Sequence, residues 1–97
     1  MSPTRWHRTK IVCTLGPATD APGVLESMVA CGMDVARMNM SHGTHADHAR
    51  RIQRLRTLGR QSGQPIAVLA DLPGPKFRLG EIAGGSRSLE EGTVVAL

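Results

Sequence analysis

The residues with most to offer chemistry stand in two short stretches of the chain. In "VARMNMS", Arg37, Asn39 and Ser41 occupy every second position. Alternate side chains of an extended strand share a face, so these three form a polar ladder about 13 Å long, with Ala36, Met38 and Met40 on the other side. A guanidinium directed inward from a strand needs an anion, because burying it unpaired is costly. Its planar fork suits a phosphate or carboxylate ligand, and it equally suits a carboxylate elsewhere in the fold. In "LADLPGPKFRLG", Asp71 leaves an apolar run and is followed by Lys76 and Arg78. One anion and two cations are thus gathered where a strand ends.

The elements that must position these residues can be read from pattern. "KIVCTLG" is a β-branched run closed by Gly16 and Pro17, which reads as a strand and a turn. A helix is predicted next: Thr19 or Asp20 can cap it, Pro22 suits its first turn, Leu25, Met28 and Val29 recur at helical spacing, and Gly32 stands at its end. The alternating "MDVARMNMS" is a second strand. Thr44 to Gly59 reads as a second helix, with Thr44 and Asp47 at capping-box spacing and a stripe of Ala49, Ile52, Leu55 and Leu58. "PIAVLAD" is nearly continuous in apolar residues, as a strand buried on both faces requires. The order strand, helix, strand, helix, strand predicts a parallel α/β sheet, and fits either a barrel or an open doubly wound sheet. From Phe77 the texture changes to short strand-like pieces between glycine-rich turns, which places a domain boundary near Lys76.

In parallel α/β folds, the loops leaving the carboxyl ends of strands build the active site. Here those ends read "TLGPAT", "RMNMSHGT" and "DLPGPKFR", and the conspicuous polar residues fall in them. "SHGT" also leads into the second helix, whose free N–H groups favour an anion, although a simple cap explains it as well. The phosphate-binding Gly-x-x-x-x-Gly-Lys-Ser/Thr pattern is absent from the sequence.

Composition bounds the remaining possibilities. A chain of 97 residues with 40% apolar and 21% charged residues has globular composition. Apolar runs such as "IAVLA" fall far short of the ~20 residues a bilayer span needs, and the opening residues hold no apolar stretch that could act as a secretory signal. A cytoplasmic location and no membrane partner are therefore expected. Cys13 and Cys31 are the only cysteines and are read as reduced, buried core filler. The net charge of +4 favours an anionic partner without separating nucleotide phosphates from nucleic acid. Arg50, Arg51, Arg54, Arg56 and Arg60 make the second helix basic, as a nucleic-acid surface or a solvated outer face would. With only Trp6 and Phe77 aromatic, a stacking platform for single strands is missing, so no nucleic-acid partner is expected. His42, His45 and His48 recur at a spacing that can offer imidazoles to zinc, but no cysteine or paired acid stands nearby.

"TKIVCTLGPAT", "GMDVARMNMSHGTHADH" and "LADLPGPKFRLG", in this order and at these separations, resemble the amino-terminal part of the pyruvate kinase family. The resemblance covers most of residues 9 to 80. It implies the first βαβαβ portion of a TIM (β/α)8 barrel over residues 1–76, strands 1–3 with helices 1–2, followed over 77–97 by the start of a small β-rich cap domain. It also implies phosphoryl transfer from phosphoenolpyruvate to ADP, giving pyruvate and ATP with Mg2+ assistance. By motif, Arg37 resembles the arginine that binds substrate phosphate, and Asn39, Ser41 and Asp71 resemble ligands of a monovalent cation. Asn39, His42 and Arg78 correspond to nucleotide-side positions, Arg78 also to one that steadies the transferring charge, and Pro17 to one lining the adenine.

Family members that need potassium typically carry Thr after the aspartate, Glu at the position of Lys76, and a small hydroxyl residue after the arginine. This chain has Leu72, Lys76 and Leu79 there, which resembles the potassium-independent branch. Lys76 then acts as a built-in cation that neutralises Asp71, and K+ is not required. The resemblance puts the catalytic lysine and the magnesium ligands on later strands, beyond Leu97. The chain alone is therefore expected to be an inactive, aggregation-prone fragment of a homo-oligomeric enzyme. Two other readings stay open: a non-catalytic remnant that binds nucleotide or an intact kinase subunit, and a small basic nucleic-acid-binding protein.

Overall fold

Three parallel strands, β1 (Val12–Leu15), β2 (Val35–Asn39) and β3 (Ala67–Asp71), pair side by side in the order β1-β2-β3. Each crossover carries one helix, α1 (Val24–Ala30) and α2 (His45–Ser62), so the element order is the one the periodicity predicts. This computed structural model describes residues 7–96; Trp6 and Leu97, both used in the reading above, lie outside the described residues.

The alternation in β2 decides the layering. Ala36 and Met38 are fully buried, and they pack with Leu15 of β1, Leu25 and Val29 of α1, Met33 and Leu55 of α2. Val35, Arg37 and Asn39 point to the opposite face, which no helix covers among the described residues. Both helices therefore lie on one side of the sheet, and the polar ladder lies on the other.

Four expectations are corrected. First, α1 is not capped by Thr19 or Asp20. The Thr19 hydroxyl accepts from Gly16 N–H (3.1 Å) and donates to Gly16 C=O (2.9 Å), closing a 3₁₀ turn over Pro17–Thr19, while Asp20 is engaged by Arg51. The helix starts instead from Gly23, whose φ of 81° is open to glycine and strained for other residues. Second, Ser41 is not on the strand: β2 ends at Asn39, whose side-chain Oδ1 accepts the Ser41 N–H (3.1 Å) and turns the chain. Third, Cys31 is exposed, because it forms the carboxyl cap of α1 past the last core-facing turn; Cys13 is half-buried against the core, and both are free thiols. Fourth, β3 is exposed along its length apart from half-buried Asp71, since it is the edge strand and the helices pack over its neighbours.

The start of α2 matches its sequence signature. Thr44 Oγ1 accepts from Asp47 N–H (3.2 Å), and Asp47 Oδ2 accepts from Thr44 N–H (3.0 Å) and from the Thr44 hydroxyl (2.8 Å). The helix runs on past Gly59 to a left-handed cap at Gly63 (φ 67°). Its buried side is His48, Arg51 and Leu55, with Ala49 exposed, so the expected stripe is rotated by about one residue. Hydrogen bonds from Thr44 hold the Asp47 carboxyl well down, at about 2 against an ordinary 3.8. A depressed carboxylate stabilises the folded state above its unfolded value, and that contribution is lost as the pH falls through about 2. An NMR titration should follow Asp47 at about 2 in the unsubstituted chain and show it moving part of the way up in Thr44→Ala, which removes the hydroxyl and keeps the Thr44 backbone N–H. An unmoved titration would contradict the cap.

Residues 72–96 form no helix or strand and are exposed throughout. Their reach explains a radius of gyration of 18.7 Å, where a compact chain of this size gives about 13 Å.

Candidate functional site

The open face of the sheet assembles its polar residues by register. Thr14 stands opposite Arg37, Arg37 opposite Leu69, and Asn39 opposite Asp71. Residues level with one another in a parallel sheet face the same way, so Thr14, Arg37, Asn39 and Asp71 share that face near the carboxyl ends of the strands. The guanidinium of Arg37 lies between two neighbours. Its Nε and one Nη donate to Asp71 Oδ2 (3.0 and 2.5 Å), and its other Nη donates to Thr14 Oγ1 (3.0 Å).

Of the two partners open to Arg37 on sequence grounds, a carboxylate within the fold is thus the one it meets here. The pair is not a sealed one: the side chains are 30% and 47% exposed. Such pairs contribute about 1 kcal/mol or less. Three of the five N–H donors of Arg37 are used, so two remain to meet an incoming anion. A dianionic phosphate is a stronger partner than one half-exposed carboxylate. The cluster can therefore accept an anion at modest cost.

The other sequence-identified residues divide by loop. Pro17 opens the 3₁₀ turn after β1. Ser41 and His42 are exposed in the turn after β2. Lys76 and Arg78 lie in the exposed segment after β3, and neither forms an ion pair among the described residues. Asp71 meets Arg37 here, and not Lys76. The structure thus brings Arg37, Asn39 and Asp71 to one face, puts Pro17, Ser41 and His42 on the adjoining loops, and leaves Lys76 and Arg78 apart from them.

Three contributors escaped the sequence reading. Thr14 had no signal, because register between strands is a tertiary property. Asp20 has the sequence signature of a helix cap, and Arg51 that of a solvated basic face. Arg51 is buried to 8% exposure and holds Asp20 through a two-point fork, Nε to Oδ1 (2.8 Å) and Nη to Oδ2 (2.7 Å). The hydrogen bond from Arg51 lowers the Asp20 pKa, and the same bond raises that of Arg51. The spacing of His48, Arg51 and Leu55 along one helix face was the available clue. Arg50 pairs with Asp47 and Arg54 with Glu26, so much of the basic helix is neutralised in place. No three His, Cys, Asp or Glu side chains gather into a metal-binding group among the described residues, and none of their helices is long and apolar enough to cross a membrane.

The same segment recurs in known proteins. A family model described as the barrel domain of pyruvate kinase matches residues 6–97. A pyruvate kinase of Mycobacterium tuberculosis is 49% identical over 91 residues, covering 94% of this chain and 19% of that protein. One from Haemophilus influenzae is 47% identical over 88 residues, with 91% and 18% covered, and one from Chlamydia muridarum 49% over 75, with 77% and 16% covered. The chain thus spans about a fifth of the length of the first of these relatives, 19%. With nearly its whole sequence, the parallel sheet and the Arg37 ladder included, inside the matched region, the chain belongs to the pyruvate kinase family.

Proposed function

We propose that this chain supplies the phosphate-binding and nucleotide-side residues of an enzyme that moves a phosphoryl group from phosphoenolpyruvate to ADP. The observation that carries the reading is Arg37: a guanidinium with two unused donors, on an uncovered sheet face, at the carboxyl ends of three parallel strands. In this reading residues 1–76 are the first part of a TIM (β/α)8 barrel, and the uncovered face is the barrel interior. The exposed edge of β3 is then where the next strand pairs, and residues 77–97 begin the cap domain.

Each residue then has a physical task. Arg37 holds the substrate phosphate. Thr14 and Asp71 orient the guanidinium, which would otherwise sample many rotamers. Arg78 and His42 meet the nucleotide, Arg78 steadying the charge in transit, and Pro17 lines the adenine. Magnesium, when bound, neutralises the phosphates; the family resemblance assigns its ligands to later strands. Asn39, Ser41 and Asp71 mark the monovalent-cation positions. Arg37 offsets the one anion among them, Asp71, and in this reading Lys76 is assigned, on the family resemblance, as the built-in cation that stands in for K+. A cytoplasmic, homo-oligomeric parent enzyme completes the reading.

The nucleic-acid alternative is not favoured, since Arg50, Arg51 and Arg54 each have a carboxylate partner. The test is the intact mass of the natively expressed polypeptide, followed by a pyruvate-release assay with phosphoenolpyruvate and ADP. A mass several times 10.4 kDa with ADP-dependent release is expected. A native mass near 10.4 kDa without release would end the enzyme reading and favour the nucleotide-binding remnant.

A further inference from the structure

Both loops of the nucleotide side hang from one helix. After β1, the loop that carries Pro17 ends in Asp20, and the buried Arg51 of α2 grips that carboxylate at two points, 2.8 and 2.7 Å. Arg54, one turn along, donates to Asp20 C=O (3.5 Å) and to Glu26 of α1 (3.1 Å), extending the grip to the first turn of that helix. After β2, the loop that carries His42 is held by His48 of α2, whose Nε2 donates to the His42 carbonyl at 2.7 Å. A carbonyl can only accept, so Nε2 bears the proton. His48 is 5% exposed, and its Nδ1 is buried with no partner, so the ring's one polar contact is to the loop backbone. Gly43 seats the loop on the ring: a Cβ there would stand 3.4 Å from His48 Nε2, and its φ is +74°.

His48 and Arg51 are three residues apart on the buried face of α2, about 4.5 Å along its axis. A helix does not stretch, so whatever spacing it imposes on His42 C=O and Asp20 it imposes on the loops. We infer that His48 and Arg51 are positioning residues that set the separation of the Pro17 and His42 loops, and so the fit of the nucleotide between them. This rests on the reading of Pro17 and His42 as nucleotide-side residues given above. Both side chains are buried, so their action is assigned through the loops they hold.

The test is ADP and phosphoenolpyruvate affinity, by calorimetry, in the natively expressed polypeptide and its His48→Leu, His48→Gln, Arg51→Met and Arg51→Lys variants. Glutamine can return an N–H donor to the place of Nε2, whereas lysine keeps the charge and loses the fork. His48→Leu and Arg51→Met are expected to weaken ADP binding about tenfold. His48→Gln should restore most of it, and Arg51→Lys should not. Phosphoenolpyruvate, held by Arg37 on β2, should keep its affinity within about twofold. Parallel loss of both ligands would mean a merely structural role and overturn the inference, as would unchanged ADP affinity. If the Leu and Met variants do not fold, the milder pair decides: equal ADP affinity in His48→Gln and Arg51→Lys overturns it. Absence of saturable ADP binding in the unsubstituted polypeptide would overturn the nucleotide reading itself, and this inference with it.

Discussion

Replacing Arg37 by leucine is expected to lower kcat/KM for phosphoenolpyruvate by about 10³-fold, the scale of losing one pre-aimed electrostatic donor. The proposed task of Arg37 is to meet phosphate with its unused donors while Thr14 and Asp71 hold the rest of the fork. Leucine removes charge and geometry together. Arg37→Lys separates them: it keeps the charge but presents a single ammonium where a planar fork stood, and a loss of about 10²-fold is expected. Thr14→Val keeps the guanidinium and removes one orienting partner, so its effect should be smaller than either. Folding is checked in parallel by circular dichroism, because Arg37 and Asp71 bridge β2 and β3. Since that pair is half-exposed, its removal should cost about 1 kcal/mol or less, too little to explain a large loss of rate. A folded Arg37→Leu enzyme within tenfold of the parent would refute the phosphate assignment.

The second large effect concerns Lys76. The parent enzyme is expected to stay active when potassium is replaced by a bulky organic cation such as tetramethylammonium, and Lys76→Glu is expected to create a potassium requirement. Without potassium the Glu variant should lose about 10²-fold in kcat if Lys76 is the proposed built-in cation, because the substitution exchanges that cation for an anion. Potassium should restore much of that loss in the variant and add little to the parent. The segment after β3 is exposed, and Lys76 makes no ion pair among the described residues, so the substitution should leave stability nearly unchanged. A parent enzyme that strictly requires potassium would remove Lys76 from the mechanism. Equal rates with and without potassium in Lys76→Glu would do the same.

Local signals in the sequence carried much of the architecture. The Thr44–Asp47 box marked the start of α2, because a cap is made by residues three apart and needs no distant partner. The alternation of Ala36 and Met38 with Arg37 and Asn39 separated the two faces of β2 for the same reason. Where a residue's partner lay far along the chain, local signals misled. Asp20 has the residue type and place of a cap and is the counter-ion of Arg51.

By itself, the sequence determined the order of strands and helices, the residues offered to chemistry, and the family motifs that join them. Only the tertiary structure decided which of those residues meet. Strand register brought Thr14 and Asp71 to Arg37, and the packing of α2 brought Arg51 to Asp20 and His48 to the His42 carbonyl. The physical reason is range: caps, turns and alternation are settled among neighbours, whereas an ion pair 31 or 34 positions apart along the chain exists only once the sheet and helices have packed.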